Sequence, residues 1–479
     1  MRERRLVPLA AIAPTLLLGA CAVGPHYVAP PLPASAAQPF ISAGATASAA
    51  PLPERWWRLY DDPVLDALVQ RAFAANTDLR IATANLERER AVLAAAAVAR
   101  LPATQLSAAR TDGDNTSSSG NGSVLPQRQW TTSGGLAVAW EVDLAGRVRR
   151  LVDAANADVE AVAAARDGVR VAVAADTTRQ YLVVCTLAES VAAAQESIAV
   201  AQQTLALSEQ RERAGAAARL EVERAAVIRA NAAAALPPLA ARRHNALLAL
   251  AALLGGTPAD IPPAAAACAK APPLAAPIPA GDGADLLRRR PDIRQAERRL
   301  AADTARIGVA TADLYPRISL AGAGSYAQRA GQSNDSWSFG VGPLLSWSFP
   351  NISATRARIG QSEAQSRASL AAFDGSVVNA LREAEQALSS LDAEQQRQNR
   401  LAEAERHARS AYALAEARYR AGNVSQLELL DASREEIAAR STRLESAVAL
   451  NGARIDVFRA LGGGWESDSA APSTHPSTP

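Results

Sequence analysis

The chain has 479 residues, 49% of them hydrophobic and only 4% aromatic, with 50 basic against 48 acidic side chains. That balance lacks the basic surplus on which nucleic-acid affinity depends, so a nucleic-acid partner is excluded. Three cysteines cannot build a disulfide framework, and His26, His244, His407 and His475 are too scattered for a His-rich metal site. Long Ala-rich stretches poor in Gly and Pro point to elongated helices in place of the three or so compact domains that length alone would suggest.

Arg2, Arg4 and Arg5 precede an apolar run from Leu6 to Leu18 and then small residues, the order of an export signal over 1–20. The run is shorter than the roughly 20 residues a spanning helix needs, and no later stretch reaches that length without polar interruption. Leu18-Gly19-Ala20-Cys21 resembles the lipobox of bacterial lipoproteins, which makes Cys21 a lipidation site whose acyl chains bury methylenes at about 0.8 kcal/mol each. Residues 21–63, rich in Pro, Ala and Ser, read as a lipid anchor and extended strap, and 465–479 as a disordered tail.

From there the chain reads as one unit written twice. Asn76-Thr77-Asp78-Leu79-Arg80 matches Arg290-Pro291-Asp292-Ile293-Arg294, and Leu101-Pro102 matches Tyr315-Pro316, at an offset of 214. Trp140 pairs with Trp347, Arg213-Ala214-Gly215 with Arg420-Ala421-Gly422, and Leu254-Gly255 with Leu461-Gly462, at 207. The change of seven falls in the Gly-, Ser- and Asn-rich segment Asp112 to Ser123, where a surface loop tolerates an indel. The repeats are 64–256 and 283–464, joined by a linker over 257–282. Cys268 in the linker and Cys185 on a helix read as free spectator thiols.

Each repeat reads as helix, hairpin, very long helix, turn, helix. Residues 147–213 and 354–420 contain no Pro, and at 1.5 Å per residue each spans about 100 Å. Val184, Leu187, Val191, Ala194, Ile198, Ala201 and Leu205 step by three and four, a coiled-coil seam. Gly215 and Gly422 supply the reversing turns. Pro237-Pro238 should break the returning helix of the first repeat into two shorter helices.

Strands are expected at about 103–111, 131–144, 317–327 and 337–349. Leu136, Val138, Trp140, Val142 and Leu144 alternate with Ala137, Ala139, Glu141 and Asp143; Trp337, Phe339, Val341, Leu345, Trp347 and Phe349 alternate with small residues. One face is apolar, and Tyr326, Trp130 and the terminal aromatic residues lie where an interfacial belt would. The helices already pair with one another, which leaves no second layer to cover that face. Four strands cannot close a membrane barrel, whose edges must all be paired in lipid, so the chain must oligomerise. Glu141 and Asp143 should then face the lumen.

The strap Cys21-Ala22-Val23-Gly24-Pro25-His26-Tyr27, the segment Trp56-Trp57-Arg58-Leu59-Tyr60-Asp61-Asp62-Pro63, the run Leu287-Arg288-Arg289-Arg290-Pro291-Asp292-Ile293, and Tyr419-Arg420-Ala421-Gly422 with Leu430-Asp431-Ala432 resemble the lipoprotein branch of the TolC-like outer-membrane factors. The resemblance runs from Cys21 to about Gly464. It implies a mainly α fold with a membrane β part: a homotrimer in the outer membrane, with a twelve-stranded β-barrel and a periplasmic α-helical tunnel. It also implies that the chain is the exit duct of a tripartite pump, docking a periplasmic adaptor that links it to an inner-membrane RND-type transporter.

On that resemblance Ala214-Gly215 and Ala421-Gly422 are adaptor-docking turns, and Tyr419, Glu428, Asp431 and Arg434, with Glu221 of the other repeat, line or lock a periplasmic gate. Glu221 and Glu428 are repeat equivalents, and Asp431 and Arg434 follow Glu428 at spacings of three. Val424 stands where some family members carry a locking Arg, which puts that bond in doubt. The competing readings are a periplasmic coiled-coil adaptor or scaffold lipoprotein, which leaves the hairpins unexplained, and a metal-binding lipoprotein. An enzyme is disfavoured for want of a phosphate-cradling loop, a helical His pair or a nucleophile elbow, and no cofactor is expected beyond the acyl chains on Cys21.

Overall fold

The computed structural model describes residues 22–33, 36, 38–44, 46–115, 127–330, 335–350 and 352–465. The expected export signal, Cys21, the tip of the first hairpin and the C-terminal tail lie outside them. In chain order the elements are β1 (Ala47–Ser48), α1 (Pro63–Ala75), α2 (Thr77–Val98), β2 (Ala103–Asn115), β3 (Gln127–Val142), α3 (Arg147–Arg213), α4 (Arg219–Leu253), the short α5 (Pro263–Ala266), β4 (Ile278–Pro279), α6 (Gly283–Arg289), α7 (Pro291–Ala312), β5 (Arg317–Arg329), β6 (Ser336–Ser346), α8 (Ser353–Arg420) and α9 (Gln426–Ala460). β6 stops short of the expected 349 because its pairing with β5 ends at Arg317 and Ser346, and no other described strand lies beside it.

The chain divides into two compact units. The first comprises residues up to Val28, Glu89–Val159 and Arg298–Leu370. It holds a four-stranded antiparallel sheet in the order β2-β3-β5-β6. Below the sheet the strap meets α7 at glycines: a Cβ on Gly24, whose φ is +88°, would lie 2.5 Å from the Cα of Gly308. Arg150 closes this contact by donating to the carbonyls of Val23 (3.3 Å) and Gly24 (3.4 Å). Arg306 bridges Asp158 and buried Asp303, which also accepts from the Ser369 hydroxyl at 2.6 Å. Burial, with Glu89 and Asp303 nearby, raises the Asp158 pKa, and Arg306 offsets part of that.

The second unit comprises Ala29–Arg88, Glu160–Glu297 and the chain from Ala371 onward. Its core centres on Trp56, fully buried and stacked on Phe458 with centroids 4.3 Å apart. Asp62 caps α1, accepting from the amides of Val64 and Leu65, with Pro63 in the first turn where no amide is needed. The same carboxylate accepts from the Tyr181 hydroxyl at 2.7 Å. Glu385 takes the backbone amides of Ile41 and Ser42, 2.8 Å each, and fastens the strap. β1 pairs in parallel with β4 in the linker. α3 has a window apolar enough to cross a bilayer by length and composition, but its Val173, Ala174, Leu182 and Val184 are buried in this protein core.

Within this unit the duplication extends to single bonds. Asn76 caps α2, accepting from the amides of Asp78 and Leu79, and donates to the Leu253 carbonyl at 3.0 Å. Its counterpart Arg290 donates to the Ala460 carbonyl at 2.9 Å, and Ala460 is the counterpart of Leu253. A guanidinium thus does in one repeat what an amide does in the other. It also reaches Asp292 at 2.7 Å and Glu383 at 2.8 Å.

Three expectations are corrected. α4 runs unbroken through Pro237 and Pro238. The two prolines are exposed, so water can serve the carbonyls of Ala233 and Ala234 that lose an amide partner, and packed residues lie on both sides of the pair. On α3, Val184, Leu187, Ala201 and Leu205 are buried as expected, but Val191, Ala194 and Ile198 are only half-buried, and Ser190, Ala193 and Ser197 take the inner face. Ser190 and Ser197 satisfy their hydroxyls on the carbonyls four residues back, at 3.1 and 2.9 Å, so they bury as small residues without an unmade hydrogen bond.

The third correction is that Cys185 and Cys268 form a disulfide across 83 residues of sequence. The linker folds back on α3, held also by Ala271 N donating to Glu189 (3.0 Å) and Arg243 donating to the Ala266 carbonyl (2.5 Å). For a loop this long the chain-entropy gain is about 4–5 kcal/mol, of which bridges typically deliver about 2–4. Reduction should therefore lower the thermal midpoint of the purified protein, and Cys185→Ala with Cys268→Ala should show the lower midpoint and no further response to dithiothreitol.

Candidate functional site

Period-2 alternation fixes the chemistry of the sheet, because residues opposite one another on antiparallel strands share a face. Leu106 faces Leu136, which faces Gly324, which faces Phe339; the next row on that face is Thr104, Val138, Gly322 and Val341, and the row beyond it Trp140, Leu320 and Pro343. Phe339, Val341 and Trp337 are 95%, 89% and 80% exposed, so none of the described residues covers this apolar face. The other face carries Gln105, Ala137, Ala323 and Gly340 in one row and Ser107, Gly135, Ser325 and Ser338 in the next. An apolar outer face and a small polar inner face are what a strand between lipid and an aqueous lumen requires. At the strand ends Tyr326 packs on Trp337 with centroids 4.9 Å apart, and Trp347 on Phe349 at 4.7 Å.

The two acids expected in the lumen both have structural partners. Asp143 accepts from the amides of Val148 (3.1 Å) and Arg149 (2.8 Å), capping the first turn of α3. Glu141 forms a two-pronged pair with Arg147, at 2.8 and 2.6 Å. Substitution at 143 therefore reads out the helix start as well as any lumen position.

The long helices reverse at two equivalent turns. Gly215 and Gly422 have φ of +70° and +74°, the left-handed conformation that glycine adopts without strain. Ala216 N donates to the Arg211 carbonyl and Asn423 N to the Arg418 carbonyl, the same closing bond in both repeats. No heavy atom lies within 4 Å of a Cβ at either glycine, so backbone conformation alone selects them.

Just past the turns, Ala201 and Leu205 of α3, Val222, Ala225 and Ile228 of α4 and Leu430 of α9 form a small apolar cluster. Buried Gln426 donates to the Ser208 hydroxyl beside it. Tyr419 accepts from Arg211, whose guanidinium also lies 5.3 Å from the tyrosine ring centroid. Sequence reasoning missed Arg211; its only signal was a place in the last turn of α3 matching Arg418 in the other repeat.

Asp431 and Arg434 pair at 3.5 Å, both about half exposed. Ser425 caps α9, accepting from the Glu428 amide at 3.3 Å, whereas its counterpart Ala218 offers no side-chain cap. Among the described residues the carboxylates of Glu221 and Glu428 have no hydrogen-bond or ion-pair partner, and Val424 brings no cation to the turn. No cluster of His, Cys, Asp and Glu among them could hold a metal ion.

A sheet dressed for lipid on one face and water on the other, carried with long paired helices in a duplicated chain, defines an outer-membrane channel protein. The profile of the outer membrane efflux protein family matches residues 68–256 and 284–463, one match in each repeat, and the chain belongs to that family. It is 32% identical over 468 residues to the toluene efflux pump outer membrane protein TtgI of Pseudomonas putida, covering 94% of this chain and 97% of that protein. To the outer membrane protein OprJ of Pseudomonas aeruginosa it is 32% identical over 471 residues, with 96% of each covered. The solved structure of the outer-membrane channel OprN matches with a TM-score of 0.83 at 34% identity, over 93% of this chain and 100% of that one. The chain is thus an outer-membrane efflux channel protein, with the mainly helical fold and tandem repeat of its family.

The face assignment predicts unequal tolerance of charge at neighbouring residues. Val341→Arg should destabilise by about 2–4 kcal/mol if near the bilayer midplane, and less towards an interface, while Gly342→Arg, on the open polar face, should be assembled normally. Folding yield into outer-membrane vesicles measures both; equal loss would reverse the assignment.

Proposed function

We propose that this protein is the exit duct of a tripartite efflux system, passing small molecules such as drugs across the outer membrane. The working unit is a homotrimer in which three four-stranded sheets close a twelve-stranded barrel. The single observation that carries this reading is the sheet with an uncovered apolar face and two open edges, β2 and β6: backbone groups at such edges must find partners before they can lie in lipid. Acyl chains on Cys21 anchor the strap in the membrane. A periplasmic adaptor docks at Ala214-Gly215 and Ala421-Gly422, turns whose glycines are open to solvent, and joins the channel to an inner-membrane RND-type transporter. Glu141, on the polar face of β3 opposite Ser319, and Asp143 line the lumen. No metal or other cofactor takes part in passage.

The periplasmic gate is built from Glu221, Tyr419, Glu428, Asp431 and Arg434, with Arg211 holding Tyr419. One half-exposed Asp431–Arg434 pair is worth only a few tenths of a kcal/mol. In a trimer each acid becomes one of three at a narrow mouth, where like charges attract cations. Asp431→Ala with Arg434→Ala should raise single-channel conductance and antibiotic entry without lowering trimer yield. Unchanged conductance would leave these residues as surface charges.

A further inference from the structure

The polar face of the sheet is almost free of charge, and its charged residues stand at the two ends. Every row from the one holding Ala103 and Ala139 to the one holding Ala109 and Ser133 consists of Gly, Ala, Ser and Gln. At the end beside the helices the charges are already paired, Glu141 with Arg147 and Arg317 with Asp313. At the other end, towards the hairpin tips, Arg329 lies opposite Thr131, which lies opposite Thr111. Arg329 is exposed, and among the described residues it has no hydrogen-bond or ion-pair partner.

The acids near the tips are engaged elsewhere. Arg110 lies over the Trp130 ring at 4.9 Å, Asp112 pairs with Arg128 at 2.7 Å, and Asp335 accepts from the Tyr326 hydroxyl at 2.9 Å. The register puts Arg110, Asp112, Arg128, Trp130 and Tyr326 on the face of Leu106, away from Arg329. Asp114 stands opposite Arg128 in the same ladder. The connecting residues 116–126 and 331–334 include no Asp, Glu, Lys or Arg.

We infer that Arg329 is a charge-selecting residue of the exit: three copies set a cationic ring in the extracellular mouth of a lumen whose middle is uncharged, where it draws anionic solutes and repels cations. Solutes bearing phosphate or carboxylate are the class it holds, since a guanidinium meets both with paired N–H donors. This role rests on the trimeric barrel proposed above, and adds to it a residue that sets which solutes the exit favours.

Dimensions decide whether three charges can govern such a mouth. Twelve strands about 4.8 Å apart and tilted by about 40° enclose a radius of about 12 Å. An arginine reaching inward brings its charge to within about one Debye length of the axis, roughly 8 Å at physiological ionic strength, so the ring acts across the whole bore. In about 1 M salt that length falls to about 3 Å, and only solutes at the wall feel it.

A cysteine in the same row reads the local potential without relying on conduction or on the gate. Thr131→Cys, in the full-length protein in outer membranes, is treated with methanethiosulfonate reagents carrying a sulfonate or a trimethylammonium group; Cys185 and Cys268 are bonded to each other and do not compete. A mouth potential of about one kT multiplies the anionic-to-cationic rate ratio about sevenfold. Arg329→Gln should lower the ratio by about that factor, Arg329→Lys should keep it, and about 1 M salt should erase the difference. Pyrophosphate at constant ionic strength should slow the anionic reagent in the parent and not in Arg329→Gln.

In protein that sizes as a trimer, an unchanged ratio in Arg329→Gln, or a cysteine that neither reagent reaches, would overturn the cationic mouth and leave the channel standing. An equal fall at Ser107→Cys, about 13 Å further along the lumen, would reveal a general charge effect and overturn it likewise. Pyrophosphate that slows both variants alike would overturn anion binding at Arg329. Protein that sizes as a folded monomer would overturn the trimeric barrel and the ring with it.

Discussion

A backbone amide in a bilayer has no water to turn to, and every one that enters must find its partner in protein. β3 and β5 meet that demand inside the chain; β2 and β6 each leave one side bare. The apolar residues on the outer face have the same dependence, since Phe339 and Val341 gain nothing from exposure to water and have no second layer to bury them. Lipid on the face and protein at the edges are the environments that satisfy both. The remaining architecture, from the capped start of α3 to the strap packed against Gly308, positions a sheet that is incomplete by itself.

Duplication is the means by which one sequence supplies a ring. The repeats have diverged in side chains while keeping geometry: Asn76 and Arg290 serve equivalent helix-end carbonyls through different chemistry, and Gly215 and Gly422 close the same turn. The second repeat adds contacts that the first lacks. Arg290 reaches out to Glu383, which the shorter Asn76 could not span, and Ser425 caps α9 where Ala218 leaves α4 uncapped.

The large features were legible because they rest on local rules. Long Pro-free stretches marked α3 and α8, alternation marked the strands, and paired glycines marked the turns, all to within a few residues. What escaped depends on contacts between distant segments. Pro237-Pro238 looks like a stop when only backbone donors are considered, but its exposed side tolerates the loss. Cys185 and Cys268 looked idle because nothing in sequence shows that the linker folds back onto α3. The inner face of α3 was misread because serine ranks as polar until its hydroxyl is seen bonded to its own helix. At the turns Tyr419, Asp431 and Arg434 were legible as positions, but Arg211, the partner of Tyr419, is a cross-repeat contact without a local signature. Glu141 and Asp143 were placed by parity alone, which cannot reveal a helix cap.

The serine-lined face of α3 has a consequence for motion. Thr186, Ser190, Ser197, Thr204 and Ser208 all turn their hydroxyls back to carbonyls one turn earlier, and Ala193 and Ala201 lie among them. Helices locked by large side chains resist sliding, because each knob must leave its hole. A face of methyls and self-satisfied hydroxyls has shallow relief, and back-bonding of this kind bends helices. Between Ser190 and Thr204 α3 therefore works less like a gear than like a plain bearing, while at the two ends of that stretch the bonds from Asn451 to Thr186 and from Gln426 to Ser208 hold α9 in register.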